Sequence, residues 1–381
     1  MPLRNANDLK GKITKNYRTE MRKILMEKYF KGWSQAYFES EAFPADMEAH
    51  ITGRMLEFEQ HVIPWVAEVF DLTDHLVLEI GCGTGSSTIP FANRAGQLHA
   101  YDISENSIDV SRLRACLMQA QNIQFHLLDS DWAASRESVT ASLSSQGAPD
   151  VILMIALLEH LTFSERLNIL QGAFNILKPG GIIVIYETPN RLNYFDWHTY
   201  LMPFADWLPD DLLAEYAANS SRASALGAIS SNLYLYRIGR GLSYHEFQLA
   251  LKDIPWRIIN DGFSQWLNKL RPPAIPAYYQ ALAQIFDAHL PDVPKSFISP
   301  SLDLILQKPS GPLDSSHHFQ SERINAWLYP EASSIPVDQG IESLPPEMLN
   351  SRLIRFVLRL QSNSIYVTLR DWYWRLTGFK K

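Results

Sequence analysis

Val77-Leu78-Glu79-Ile80-Gly81-Cys82-Gly83-Thr84-Gly85 joins an apolar strand to a glycine-rich turn, with a carboxylate two residues before the first glycine. Glycines at alternating positions allow backbone conformations closed to other residues and let a ligand come close to the main chain. The spacing narrows the ligand. A turn that cradles a dinucleotide pyrophosphate needs G-x-G-x-x-G, whereas here the third glycine arrives one residue early and Ser86 holds the expected place. Glu79 argues the same way, because a carboxylate at a strand end repels phosphate and accepts from hydroxyl or amino groups. The turn suits a ligand without phosphates.

Four further elements follow in order. Gln97-Leu98-His99-Ala100-Tyr101-Asp102 is a short strand ending in an acid, at the distance from Gly81 where a ribose-binding carboxylate is expected. Ile123-Gln124-Phe125-His126-Leu127-Leu128-Asp129-Ser130 reads as a third strand with a terminal acid, and Asp131 offers an alternative to Asp129. The run Pro149 to His160 is continuously apolar up to Leu158, as in a strand buried on both faces of a parallel sheet. Asp150 starts that strand. Leu177-Lys178-Pro179-Gly180-Gly181 is a helix-ending turn that delivers Ile182-Ile183-Val184-Ile185-Tyr186.

Together these segments resemble the class I S-adenosylmethionine-dependent methyltransferases. The resemblance implies an α/β, doubly wound, Rossmann-like fold with a seven-stranded sheet. Its last two strands would be Trp256–Phe263 and Ser301–Lys308, paired antiparallel at the sheet edge. The cofactor implied is S-adenosyl-L-methionine, which carries a sulfonium, an amino group and a ribose diol but no phosphate. By position, Glu79, Gly81, Gly83, Gly85, Asp102, Ile103, Asp129, Ser130 and Ile155 would contact it, with Asp102 on the ribose and Asp129 near the adenine. Two other readings are a nicotinamide-dependent oxidoreductase and a catalytically silent methyltransferase-like interaction protein. The early third glycine and Glu79 oppose the first, and the intact glycines and Asp102 oppose the second.

A chain of 381 residues with 46% hydrophobic and 20% charged residues holds one full domain plus additions. The expected organisation is an N-terminal helical extension over 1–60, a methyltransferase domain over 61–309, and a C-terminal extension over 310–381. Inserts at 188–250 and 264–300 are long for simple connections, and such inserts at the carboxyl ends of parallel strands usually select substrate. Cys82 and Cys116 are the only cysteines, so neither a disulfide framework nor a zinc-type cysteine spacing exists. No apolar run is long enough for a membrane span and no signal-peptide core is present, which gives a cytoplasmic expectation.

The net charge of −7 is unevenly spread. Residues 1–31 and 352–381 each carry +6, leaving −19 on residues 32–351 by subtraction. An acidic body disfavours general nucleic-acid binding, because phosphate contacts need a basic face. Ala156-Leu157-Leu158-Glu159 also stands where amino-directed nucleic-acid methyltransferases carry an Asn/Asp-Pro-Pro-aromatic motif. A small or lipid-linked acceptor is favoured.

The acceptor site is expected in the insert that opens Glu187-Thr188-Pro189-Asn190-Arg191 and continues through Tyr194-Phe195-Asp196-Trp197-His198-Thr199-Tyr200 to Trp207-Leu208-Pro209. Aromatics interleaved with Asn, Asp and His suit a pocket that stacks flat or sugar-like surfaces, although the same aromatics also suit an insert core. The Leu-Glu-His strand end, the Lys-Pro-Gly-Gly turn and the Thr-Pro-Asn-Arg run are similar to the ubiquinone-biosynthesis O-methyltransferase group. The Trp-His and Trp-Leu-Pro stretch departs from that group and looks closer to enzymes that modify surface polysaccharides or lipid carriers. Methyl transfer to oxygen, less readily to nitrogen, requires loss of a proton, and histidine is the commonest general base. His198 in the insert and His160 at the fourth strand's end are the catalytic candidates. Ser243-Tyr244-His245-Glu246 reads as a capping box, which accounts for Glu246. His317-His318 lacks further ligand spacing, and no metal site is expected.

Beyond residue 309 the chain divides. Residues 310–350 hold six acids against one Arg with many Pro and Ser, a linker-like composition. From Arg352 to Leu360, arginines group on one side of a helical wheel, and Trp372, Tyr373, Trp374, Lys380 and Lys381 follow. That pattern fits a helix packed on the domain, or a weak peripheral membrane contact.

Overall fold

In the central strands side chains alternate strictly between two buried faces. Val151, Leu153 and Ile155 join one apolar cluster while Ile152 and Met154 join another. Val184 and Ile185 divide the same way. This two-sided burial explains why these segments read as continuous apolar runs. The computed structural model describes residues 6–129, 132–144, 147–226, 229, 231–262, 277–290 and 293–311.

The strands are β1 Leu76–Ile80, β2 Gln97–Asp102, β3 Ile123–Leu127, β4 Val151–Ile155, β5 Ile182–Tyr186, β6 Arg257–Asp261 and β7 Leu304–Gln307. They form one seven-stranded sheet in the order β3-β2-β1-β4-β5-β7-β6. β1 pairs in parallel with β2 and β4, β2 with β3, and β4 with β5. β7 runs antiparallel to both β5 and β6. The α/β doubly wound expectation is borne out, edge hairpin included. Two strand ends differ from the sequence reading. β3 stops at Leu127, before Asp129. β4 stops at Ile155, because Ala156 turns into the left-handed region with φ 46° and Leu158–His160 form a short 3-10 turn.

One sheet face is covered by the helices Trp132–Leu143, Phe163–Ile176, Tyr244–Leu251 and Ala277–His289, whose apolar residues merge with Leu78, Met154 and Ile185. The other face packs against Phe58, Val62 and Trp65 from the N-terminal segment, together with Phe91 and Ile108. The N-terminal segment is helical over much of its length, and Tyr17, Met21, Leu25 and Phe30 rest on Ile89, Val110 and Met118. These residues form part of the buried core.

Arg114 fastens this segment to the glycine turn. The guanidinium is fully buried, donating to Thr84 O at 2.8 Å, Ile51 O at 2.9 Å, His50 O at 2.6 Å and Tyr17 Oη at 2.6 Å. Among the described residues no carboxylate pairs with it, and burial lowers the arginine's pKa from its ordinary value. Four oxygens depend on one cation, so Arg114→Met should cost about 2–3 kcal/mol, the scale of hydrogen bonds to a charged group. Chemical denaturation of parent and variant measures this, and equal midpoints would remove Arg114 as the fastening.

Candidate functional site

Parallel order reverses direction between β1 and β4, and the loops leaving their carboxyl ends diverge to leave a crevice. The glycine turn lies here. Gly81, Gly83 and Gly85 all have positive φ, at 78°, 52° and 77°. A Cβ on Gly81 would lie 2.9 Å from Leu157 Cδ1, and one on Gly85 would lie 3.2 Å from the Cα of Ser111. Both permit close packing within the protein. Gly83 differs, since its added Cβ would meet nothing within 4 Å and so faces open space.

Asp102 ends β2 beside this turn. One carboxylate oxygen accepts from Gly83 N–H and the other from Ser104 N–H, each at 2.8 Å. Burial nevertheless raises its pKa above the ordinary value. Asp102 borders a cavity of about 120 Å³ together with Gly81, Ile103, Asp129 and Leu157. Ile103 leaves 60% of its surface exposed, an apolar side chain available to a ligand. Arg237 and Glu165 form another part of the wall and pair at 2.7 Å. Drug-sized ligand pockets span about 300–1,000 Å³, so this cavity must widen to admit a nucleoside.

Other expected contacts lie elsewhere. Glu79 is fully buried and takes hydroxyl hydrogen bonds from Ser87 and from Thr88, the latter at 2.6 Å. It anchors the turn from beneath, because the alternation of β1 points it inward. Ile155 also points into the core, and Leu157 takes the place at the cavity. Ser130 lies outside the described residues.

His160 and His198 do meet. Their ring centroids are 5.9 Å apart. Between and beneath them sits Glu159, a residue not singled out in the sequence. It is fully buried, its carboxyl pushed up to about 8 by burial. Glu159 Oε1 lies 3.7 Å from His160 Nε2 and 3.6 Å from His198 Nε2. Burial depresses both imidazoles, His160 to about 4.

Two anchors hold this cluster. Arg166, fully buried, donates to the carbonyls of Leu158, Leu161 and Arg240 at 2.9, 2.9 and 2.7 Å and to Glu246 at 2.6 Å. Glu246 thus serves both its capping box and this ion pair. On the insert side, Asp196 accepts from the N–H groups of His198, Thr199 and Tyr200 at 2.7–2.9 Å. Gly239, at φ 130°, lets the insert pass against His198, since a Cβ there would lie 2.3 Å from Thr199 Oγ1.

The insert's aromatics split between two fates. Tyr200 is buried in a local core with Met202, Leu213 and Leu235. Phe195, Trp197, Phe204 and Tyr216 instead line an open groove of about 870 Å³.

Residues 78–183 match the family model described as a methyltransferase domain. That stretch, β1 through the start of β5, is thus similar to a methyltransferase domain. Over 132 residues the chain is 29% identical to the ubiquinone biosynthesis O-methyltransferase of Stutzerimonas stutzeri (strain A1501), covering 34% of this chain and 50% of that protein. It is 24% identical over 146 residues to O-methyltransferase 3 of Dictyostelium discoideum, covering 36% and 32% respectively. The chain spans about half the length, or less, of these curated relatives. Among solved structures, magnesium protoporphyrin IX methyltransferase from Synechocystis PCC 6803 aligns with TM-score 0.39 and 16% identity, over 65% of this chain and 92% of that one.

Burial raises Glu79 to about 7 from an ordinary 4.5. The folded state thus holds this proton more tightly than the unfolded chain. Its contribution to stability is complete below about pH 4.5 and is lost as pH rises through about 7. Glu79→Gln should flatten that part of the stability profile, as read by melts from pH 4 to about 8. A variant with the parent's slope would contradict the assignment.

Proposed function

We propose that this chain transfers a methyl group from S-adenosylmethionine to an oxygen of a small or lipid- or sugar-linked acceptor. The observation that carries the reading is the Asp102 carboxylate at a cavity with Gly81, Ile103 and Asp129, a cavity whose wall residue Arg237 bonds through its carbonyl to His160 of the Glu159–His160–His198 cluster. Asp102 and Asp129 offer acceptors to ribose hydroxyls and an adenine amino group, and Ile103 offers an apolar surface to the base. The residues present fit the cofactor chemically. When bound, it supplies an electrophilic methyl group that needs no further activation.

What this chain's residues contribute is positioning, exclusion of water and relief of the acceptor's proton. Nε2 of His198 is the proposed proton acceptor, with His160 as its neighbour. Desolvation holds both imidazoles neutral near physiological pH, the form in which a nitrogen can accept. The groove lined by Phe195, Trp197 and Phe204 supports an acceptor with a flat or apolar part. The −19 charge of residues 32–351 supports an acceptor other than nucleic acid. No helix of the described residues is long and apolar enough to cross a membrane. The proposed lipid contact of Arg352–Lys381 lies outside the described residues.

Calorimetry should find S-adenosylhomocysteine binding and no binding of NADH. Asp102→Ala should weaken the former by about 1–3 kcal/mol, the cost of hydrogen bonds to a charged acceptor. Tight NADH binding with none for the sulfur ligand would overturn the cofactor.

His198→Ala should lower turnover by about 10²–10⁴-fold, the usual contribution of a general base. Affinity for S-adenosylhomocysteine should stay close to the parent's. The assay follows isotopically labelled S-adenosylmethionine into products of a cell extract by mass spectrometry. Unchanged labelling with the variant would remove His198 from catalysis.

A further inference from the structure

Neither oxygen of the fully buried Glu159 has a hydrogen-bond partner among the described residues. An unpartnered buried carboxylate is costly, and proteins usually pair such a group or give it a metal. The nearby imidazoles do not satisfy it as hydrogen-bond donors, since 3.6 and 3.7 Å exceed hydrogen-bond length.

Each imidazole is instead held by its other nitrogen. His160 Nδ1 lies 3.0 Å from the carbonyl of Arg237, which can only accept, so Nδ1 carries the hydrogen. His198 Nδ1 lies 2.9 Å from Thr199 Oγ1, whose own hydrogen goes to the Ile238 carbonyl at 3.4 Å. In the tautomer with hydrogen on Nδ1, this nitrogen donates to the hydroxyl. The Nε2 lone pair of His160, and that of His198 in this tautomer, are directed to the side where Glu159 lies. Metal-binding histidines are commonly fixed by such an outer hydrogen bond to carbonyl or hydroxyl.

The three ligand atoms lie within 4.8 Å of one another. Tetrahedral bonds of about 2.0–2.1 Å place donors about 3.3 Å apart, so a few tenths of an ångström closes each Glu159–histidine distance, and the two imidazoles close by at most about 1.5 Å. The neighbouring cations are engaged elsewhere: Arg54 with Glu187, Arg166 with Glu246 and Arg237 with Glu165. His160 and His198 keep about a third of their side-chain surface exposed, at 38% and 34%, which leaves a path from solvent.

We propose that Glu159, His160 and His198 bind one divalent cation of the zinc class, leaving an open position for an acceptor oxygen. Two imidazoles and one carboxylate suit zinc and neighbouring divalent transition ions. This deepens the methyl-transfer reading and rests on it for the acceptor. A hydroxyl bound to the cation would release its proton to solvent at lower pH, so His198 would serve as a ligand in the loaded protein and not as the base.

The test uses the full chain, stripped with chelator and titrated with zinc chloride and, separately, cobalt chloride in a calorimeter. One equivalent should bind near neutral pH, raise the melting temperature, and bind more weakly as the imidazoles protonate at lower pH. Glu159→Gln and His198→Ala should each weaken binding by about 100-fold or more, at or above the loss from removing an outer partner. His160→Asn provides a further variant if either fails to fold. Absence of binding by both metals, or binding that these substitutions leave unchanged, would overturn the site. S-adenosylhomocysteine titrated into the same metal-free protein separates the two readings. Binding of that ligand without metal binding refutes only the cation, whereas loss of that ligand refutes the methyltransferase reading itself.

Discussion

The reversal of strand order between β1 and β4 is the constraint on which the rest of the site depends. In a parallel sheet ordered β3-β2-β1-β4-β5, the chain leaves β1 toward one side and β4 toward the other. The crevice between them is narrow: a Cβ on Gly81 would press on the Leu157 side chain, and φ of 78° there suits glycine alone. Glu79 sets the turn from below through Ser87 and Thr88, and Asp102 ties it laterally through Gly83 N–H. Arg114 then joins the turn's Thr84 carbonyl to the N-terminal segment. A ligand-facing surface is thereby held by bonds that the ligand does not itself supply.

The Glu159–His160–His198 cluster is assembled differently. Its residues come from the 3-10 turn after β4 and from the insert after β5, joined by buried arginines. Arg166 gathers carbonyls from both segments, and Arg240 reaches the Ala205 and Leu208 carbonyls and Asp210. Such cations convert loop carbonyls into a rigid frame, since each buried oxygen needs a donor. The left-handed Ala156 aims the Glu159–His160 turn across the crevice toward His198.

Periodicity and glycine spacing made the sheet legible. β2 and β5 have the boundaries read from Gln97–Asp102 and Ile182–Tyr186, and the Ser243–Glu246 capping box is formed. These features depend on neighbours close in sequence. Glu79 was visible as an acid near a turn, but whether it faced ligand or core depended on the pleat of β1 and on Ser87 and Thr88. Glu159 was passed over because an acid next to a histidine has no distinctive spacing. Only folding brings His198, thirty-nine positions away by sequence number, beside it. Arg114 and Arg166 gave no signal either, since their acceptors are mostly backbone carbonyls.

The most direct test of the account is a crystal structure of the chain with S-adenosylhomocysteine. The ribose should lie on Asp102, the nucleoside should pass the open face of Gly83, and the sulfur should point toward Glu159, His160 and His198. Arg237 or Glu165 should have shifted to widen the cavity. A ligand bound away from β1 and β4, or one whose sulfur points away from the two histidines, would contradict the central claim.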